Sequence, residues 1–206
     1  MNSAAQQSVA ESTAPATTVG AWNLANGLTL VRLLLVPVFA ALFFSHGGQE
    51  PSWRTWAGVV FGISLFADRL DGELARKRQV VTDVGKIADP IVDKALIGTA
   101  LVGLSIIGEL PWWVTAFVLA REVGVTLLRF WVIRHGVIPA SPGGKLKTLV
   151  QGIAIGLYVL VLPGWLASLR AWVMAVAVIV TVVTGLDYVQ RAVRLRSSGR
   201  RVRNLA

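Results

Sequence analysis

The chain has 206 residues, of which 54% are hydrophobic and 15% charged, with a mean hydropathy of +0.64 and a net charge of +9. A soluble domain of this length needs more charge to cover its surface, so a soluble all-α protein is the disfavoured alternative. The chain has no cysteine, which excludes disulfides and thiolate ligands, and its two histidines are too far apart for a histidine-built metal site. Any bound metal would therefore have oxygen ligands, which favours hard cations such as Mg²⁺ or Mn²⁺.

The chain begins with a polar tail. Residues 1–20 are small, aperiodic, free of Lys and Arg, and unlike a signal peptide, so we predict that they are disordered. Apolar runs of about 20 residues are typical of transmembrane helices. We therefore predict an all-α integral membrane bundle of six transmembrane helices over residues 21–190, followed by a basic cytoplasmic tail over 191–206. The six apolar segments lie at about 28–45, 53–67, 88–107, 111–133, 147–166 and 170–189.

The basic residues predict the orientation of these spans. Fifteen of the 20 Lys and Arg residues lie in the stretch 68–87, the connection 129–147 and the C-terminal tail, whereas the opposite loops hold only Arg54 and Arg170. By the positive-inside rule the basic side is cytoplasmic. We expect a multi-pass protein of the cytoplasmic membrane, with both termini and the active site facing the cytoplasm. The positive charge is thus explained by topology and not by nucleic-acid binding.

Two pairs of glycines predict close helix contacts. Gly58 with Gly62, and Gly152 with Gly156, are four residues apart, a spacing that lets two helix backbones approach each other. The pattern fits the interior of the bundle and a dimer interface equally well.

Four aspartates form the candidate active site: Asp68, Asp71, Asp89 and Asp93. Residues three or four apart share a helix face, so each pair of aspartates projects together from its own helix. Four carboxylates in a half-buried pocket repel one another unless cations neutralise them. Two divalent ions would do so, and such a pair binds a diphosphate. The alternative, in which these acids cap helices or pair with nearby Arg and Lys, explains one aspartate better than four.

The full pattern, D-x-x-D-G-x-x-A-R-x8-G-x3-D-x3-D over residues 68–93, resembles the motif of the CDP-alcohol phosphatidyltransferases. This resemblance implies a six-helix membrane fold, usually dimeric, that binds CDP-diacylglycerol and two metal ions. It makes Asp68, Asp71 and Asp89 metal ligands. It also implies that Asp93 completes the second metal site and acts as the catalytic base. The residues implied to line the cytidine nucleotide pocket are Gly72, Ala75, Arg76 and Gly85.

Three further stretches resemble one branch of that family, the phosphatidylglycerophosphate synthases. They are residues 23–32 with Pro37, the pair Arg121-Glu122, and residues 138–151. The resemblance implies sn-glycerol 3-phosphate as the acceptor and phosphatidylglycerophosphate and CMP as products. Basic side chains suit an anionic acceptor, so the predicted acceptor-phosphate contacts are Arg121, Lys145 and Lys147. Thr29 and Arg32 are expected near the donor diphosphate.

Other functions stay open on the sequence alone. Within the family, the acceptor could be an inositol phosphate. A membrane prenyltransferase also binds a diphosphate through aspartate-held Mg²⁺, but would have two separate aspartate-rich motifs. A cation transporter would place its acids near the middle of the membrane, whereas these lie at the predicted cytoplasmic end. The basic tail is expected to contact anionic membrane lipid.

Overall fold

The computed structural model of the protein describes residues 24–78, 83–132 and 142–203. Within these ranges, side chains are described except at 24–26, 28–29, 69–78, 83–90, 93, 129–132, 142–143, 145 and 194–203. The predicted disordered tail, residues 1–20, lies outside the described residues.

The described chain is entirely helical. Six helices follow one another: α1 (Leu24–Phe44), α2 (Pro51–Arg78), α3 (Asp83–Ile106), α4 (Trp112–Val132), α5 (Pro142–Val159) and α6 (Trp165–Arg203), with a short 3-10 turn (Ser45–Gly48) after α1. No strand occurs in any of the three described ranges. The predicted all-α class is confirmed, and each of the six apolar segments falls mainly on one helix.

Several helix ends follow from the local sequence. Pro51 and Pro142 are the first residues of α2 and α5, where a proline loses no helical hydrogen bond. Gly108 has φ +77° just after α3, a conformation that glycine adopts without steric cost, and the chain turns there towards α4. The last helix continues to Arg203, so the predicted boundary between catalytic domain and tail at residue 190 lies inside α6.

An aromatic cluster joins the first three helices. The rings of Phe39 and Phe43 on α1 stack with centroids 5.6 Å apart, and Phe39 lies 5.7 Å from Phe61 on α2. Helix α3 approaches this cluster through Gly103, where a Cβ atom would lie 2.9 Å from the Phe43 ring. Leu101 of the same helix is fully buried. Helix α1 therefore packs against both α2 and α3, the two helices that carry the aspartates.

The predicted glycine contacts lie mostly inside the bundle. A Cβ atom at Gly58 would lie 2.7 Å from the Leu160 side chain, and one at Gly152 would lie 2.9 Å from Leu65. Gly156 faces Phe61 at 4.0 Å. Gly62, in contrast, has no neighbour within 4 Å among the described atoms. Three of the four glycines thus bring α2 and α5 together.

Two helices are long and apolar enough to cross a membrane by length and composition, in the stretches Leu30–Gly48 and Trp165–Val193 of the described chain. Helices α3 and α5 contain shorter apolar stretches. The other four helices are interrupted by charged residues, such as Asp68 on α2 and Glu122 on α4. Many large apolar side chains nevertheless point outwards, including Leu34, Ile179 and Val183. Six spans therefore stay a prediction, while six helices, two of them membrane-capable, are observed.

The buried Arg54 links several segments at the end of the bundle where α2 and α6 begin and α5 ends. Arg54 is 1% exposed, and its guanidinium donates to the Val159 carbonyl at 2.9 Å, to the Tyr158 carbonyl, and to Glu109 Oε1 at 3.0 Å. Glu109 Oε2 in turn binds Arg170 of α6 at 2.6 Å. Arg54 thus satisfies carbonyls at the end of α5, which have no partner within the helix.

We predict that Arg54→Ala lowers the free energy of unfolding by about 3–5 kcal/mol, because it leaves Glu109 with one cation fewer and buried α5 carbonyls without a donor. The matched control is Arg191→Ala, which removes an exposed pair with Asp187 one turn away on α6 and should cost about 0.5 kcal/mol or less. Unfolding of the purified proteins in detergent measures both. Equal losses in the two variants would contradict this account of Arg54.

Candidate active site

The first aspartate is held by an arginine from the neighbouring helix. Arg32 Nη2 of α1 lies 2.8 Å from Asp68 Oδ1 of α2. Arg32 is 3% exposed, whereas the Asp68 side chain is 35% exposed, so the arginine approaches from inside the bundle and the carboxylate reaches the surface. The sequence placed Arg32 near the donor diphosphate. The structure places it beside the first aspartate of the motif.

The other three aspartates of the motif lie on helices α2 and α3. Asp71 follows Asp68 by three residues on α2, and Asp89 and Asp93 lie four apart on α3, so each pair shares a helix face. The side chains of these three aspartates lie outside the described residues. So do the side-chain contacts predicted for Thr29, Gly72, Ala75, Arg76, Gly85 and Lys145.

The residue types of the motif fit a hard divalent cation. Carboxylate oxygens are the protein ligands that Mg²⁺ and Mn²⁺ prefer. Asp68 is half-buried, with its Oδ1 held by Arg32. Among the described side chains no three His, Cys, Asp or Glu residues come together; the side chains of Asp71, Asp89 and Asp93 are not among those described.

A cavity of about 220 Å³, mainly apolar in surface but with five polar residues in its lining, lies between α3, α4 and α5. Its polar lining residues are Lys94, Glu122, Lys147, Thr148 and Gln151, and its apolar ones are Ile97, Leu119 and Val123. On α3, position 93 precedes Ile97 by one helical turn and position 89 precedes it by two. The helix face that carries Asp89 and Asp93 therefore continues into the wall of this cavity.

Glu122 organises the positive charge around the cavity. Its Oε1 accepts a hydrogen bond from Lys147 Nζ of α5 and another from Arg121 Nη1 at 3.0 Å. Lys147 is 6% exposed, so its ammonium group is removed from bulk water. With Lys94, the group comprises three cations and one anion, a net charge of +2.

Arg121 lies behind the cavity and not in its wall. The guanidinium reaches Glu122 on one side and the Thr184 hydroxyl of α6 on the other, at 3.1 Å. Its side chain also borders an apolar groove between α4 and α6. Of the three predicted acceptor contacts, the structure therefore places Lys147 in the wall of the cavity and Arg121 against Glu122, the carboxylate that also pairs with Lys147.

Four polar residues of this region were given no site role from the sequence. Lys94 directly follows Asp93, and Gln151 follows Lys147 by one helical turn, so both could have been found from helix faces. Thr148 lies beside Lys147 in the chain. Thr184 is 63 residues from Arg121, and no local pattern connects the two.

Comparison with known proteins identifies the family. The CDP-alcohol phosphatidyltransferase profile matches residues 22–183. A probable phosphatidylglycerophosphate synthase of Mycobacterium tuberculosis is 56% identical over 84% of this chain and 82% of that protein. A CDP-diacylglycerol–glycerol-3-phosphate 3-phosphatidyltransferase of Bacillus subtilis is 36% identical over 81% of this chain and 93% of that protein. A CMP-forming cardiolipin synthase of Streptomyces coelicolor is 33% identical over 72% of this chain and 71% of that protein. The chain belongs to the CDP-alcohol phosphatidyltransferase family.

This membership confirms the predicted enzyme class. The protein is a transferase of phospholipid biosynthesis, from a family of membrane proteins that transfer a phosphatidyl group from a CDP-linked donor. All predicted site residues, from Thr29 to Lys147, lie within the matched range.

We predict that the ion pair between Glu122 and Lys147 is energetically coupled. Glu122→Gln and Lys147→Met each leave a partner charge inside the bundle and should lower the free energy of unfolding by about 3 kcal/mol. The double variant leaves neither charge of the pair, so its loss should fall short of the sum by about 1–3 kcal/mol. Denaturant unfolding of the two single variants and the double variant in detergent measures these free energies. If the losses of the two single variants add up to that of the double variant, the two residues are not energetically coupled.

Proposed function

We propose that the protein transfers the phosphatidyl group of CDP-diacylglycerol to sn-glycerol 3-phosphate, giving phosphatidylglycerophosphate and CMP. The observation that carries the proposal is the cavity between α3, α4 and α5, because the α3 face that bears Asp89 and Asp93 continues into its wall. An acceptor held there would lie next to the aspartate motif. The names of the relatives from Mycobacterium tuberculosis and Bacillus subtilis support this acceptor.

The charge of the cavity suits a phosphate monoester. Such a group carries about −1.5 to −2 at pH 7, close in magnitude to the net +2 of Lys94, Arg121, Glu122 and Lys147. Lys147 and Lys94 would bind the phosphate as point charges. Thr148 and Gln151 add hydrogen-bonding groups for the hydroxyls of a small polyol. The predicted contact from Lys145 is part of the same proposal.

The proposed reaction is a single displacement at the β-phosphorus of the donor. Asp93 takes the proton from the 1-hydroxyl of glycerol 3-phosphate, and that oxygen forms a new bond to the phosphorus. The bond from the β-phosphorus to the bridging oxygen breaks, and CMP departs with the electron pair. Gly72, Ala75, Arg76 and Gly85 would accommodate the cytidine nucleotide.

Asp68, Asp71, Asp89 and Asp93 would together hold two divalent ions, Mg²⁺ or Mn²⁺. Enzymes of this family generally depend on a divalent metal. When bound, such a pair neutralises the diphosphate and stabilises the leaving group. Arg32 holds Asp68 in place from the inside of the bundle. Thr29, one turn earlier on α1, would extend the same helix face towards the donor diphosphate.

In the proposed setting all six helices cross the cytoplasmic membrane, with the termini and the aspartates on the cytoplasmic side. The two membrane-capable stretches and the outward-facing apolar side chains support this arrangement. Two of the charged residues that interrupt the other helices are buried and paired: Arg54 with Glu109 at one end of the bundle, and Lys147 with Glu122 beside the cavity. We also propose that the protein forms a homodimer, as the family resemblance implies.

We expect purified protein in detergent, given Mg²⁺, CDP-diacylglycerol and labelled glycerol 3-phosphate, to release CMP and label the lipid product. EDTA should abolish the release, and added Mg²⁺ or Mn²⁺ should restore it. Parallel reactions with an inositol phosphate and with phosphatidylglycerol test the other acceptors, the latter giving cardiolipin. CMP release with one of these alone would overturn the proposed acceptor, and no release with any acceptor would overturn the transferase proposal.

For the proposed base, we expect Asp93→Asn to reduce turnover by about 10²- to 10⁴-fold, the contribution typical of general-base catalysis. Binding of CDP-diacylglycerol in the presence of Mg²⁺ should persist, since three aspartates remain. Binding measured by isothermal titration, beside the turnover assay, separates the two effects. Loss of donor binding together with turnover would show that the metal-holding role of Asp93 accounts for the lost activity, which would overturn its assignment as the base.

A further inference from the structure

The hydroxyl of Thr184 on α6 makes hydrogen bonds both within its own helix and to α4. Its hydroxyl donates to the Val180 carbonyl one turn earlier, at 2.7 Å. Because the only hydroxyl hydrogen is used there, the oxygen is left as an acceptor, and Arg121 Nη2 of α4 donates to it at 3.1 Å. A valine of the same shape could make neither bond.

The arginine is held from both sides by these contacts. One terminal nitrogen, Nη1, donates to Glu122 at 3.0 Å, and the other, Nη2, donates to Thr184. Gly185 provides the space in which the side chain crosses to α6, since a Cβ atom there would lie 3.4 Å from Arg121 Nε. A long arginine side chain otherwise samples many rotamers, and fixing both nitrogens restricts it to one orientation.

These contacts form a continuous chain of polar groups from α6 to the cavity. Thr184 binds Arg121, Arg121 binds Glu122, and Glu122 binds Lys147, which lines the cavity. Arg121 and Lys147 share one carboxylate oxygen, so a shift of the arginine changes the position and charge balance of that oxygen. No described residue of α6 lines the cavity itself.

We propose that Thr184 is a positioning residue for acceptor binding. By fixing the Arg121 guanidinium, it fixes Glu122 and thereby the Lys147 ammonium that faces the acceptor phosphate. The proposal rests on the proposed function, in which the cavity binds glycerol 3-phosphate. It makes α6 a determinant of acceptor affinity through a residue that does not touch the acceptor.

A purely structural role for Thr184 predicts something different. In that case the hydroxyl serves only its own helix through the Val180 carbonyl, and its loss alters stability without a selective change in one substrate. A positioning role instead predicts a higher KM for the acceptor and an unchanged KM for the donor. The two roles are therefore separated by which KM changes.

The experiment compares Thr184→Val with Thr184→Ser and a matched control, Thr181→Val. Thr181 lies one turn earlier on α6, is fully buried, and its hydroxyl has no hydrogen-bond partner among the described residues. We expect Thr184→Val to raise the KM for glycerol 3-phosphate about 3- to 30-fold, less than the full effect of losing one hydrogen bond to a charged group, because Thr184 acts on the acceptor only through Arg121. The KM for CDP-diacylglycerol should not change. Thr184→Ser and Thr181→Val should retain the KM of the unmodified enzyme.

Arg121→Ala in the same assay separates the two proposals. A raised acceptor KM for Arg121→Ala with no change for Thr184→Val would overturn the positioning role alone. No change for either variant would overturn the assignment of Arg121 to acceptor binding, and the role of Thr184 with it. A Thr184→Val protein with an equal loss for both substrates and a lower melting temperature would support the structural role instead. If Thr184→Val does not fold, Thr184→Ala makes the same comparison with a smaller side chain.

Discussion

The ion pairs of the Glu122 carboxylate link the last three helices of the bundle. It lies on α4, binds Lys147 of α5 directly, and reaches α6 through Arg121 and Thr184. Burying a lone carboxylate or ammonium costs several kcal/mol, and pairing offsets that cost only when the partners are well placed. The ion pair and the helix packing therefore require each other: the helices hold the charges together, and separating the helices would expose charges without partners. The cavity beside Lys94 and Gln151 lies where these charged groups meet.

A second charged cluster lies at the end of the bundle where Arg54 binds the carbonyls at the end of α5 and shares Glu109 with Arg170. Between the two clusters the interior is mainly apolar, with the Phe39, Phe43 and Phe61 rings at the contact of α1 and α2. Polar interactions thus fix both levels of the bundle, while apolar packing fills the space between them. Helix α5 takes part in both clusters, through Lys147 near its beginning and the Val159 carbonyl at its end.

The sequence predicted those features that depend on residues close together in the chain. Six helices follow from six apolar segments, and the shared faces of Asp68 with Asp71 and of Asp89 with Asp93 follow from helical periodicity. The contact between Arg121 and Glu122 was open to prediction because the two are adjacent. The structure adds contacts across long separations, such as Arg54 with Glu109 and Arg121 with Thr184, which no periodicity encodes. Charged residues such as Arg54 and Arg121 also interrupt the apolar runs of α2 and α4, whereas the described parts of α1 and α6 are apolar enough to cross a membrane.

The same difference in sequence separation explains why the aspartate motif can be predicted from the sequence more readily than the acceptor. The aspartate motif occupies one continuous segment on α2 and α3, so its spacing can be recognised as a unit. The cavity is assembled from α3, α4 and α5, with its charge arrangement tied to α6, so its residues are scattered from Lys94 to Thr184. A substitution at one of these scattered positions can alter the cavity and leave the motif intact. This separation fits a family in which relatives 33% and 56% identical to this chain bear names for different lipid products. Under the proposed function, acceptor choice therefore depends on the contacts around Glu122 more than on the aspartates.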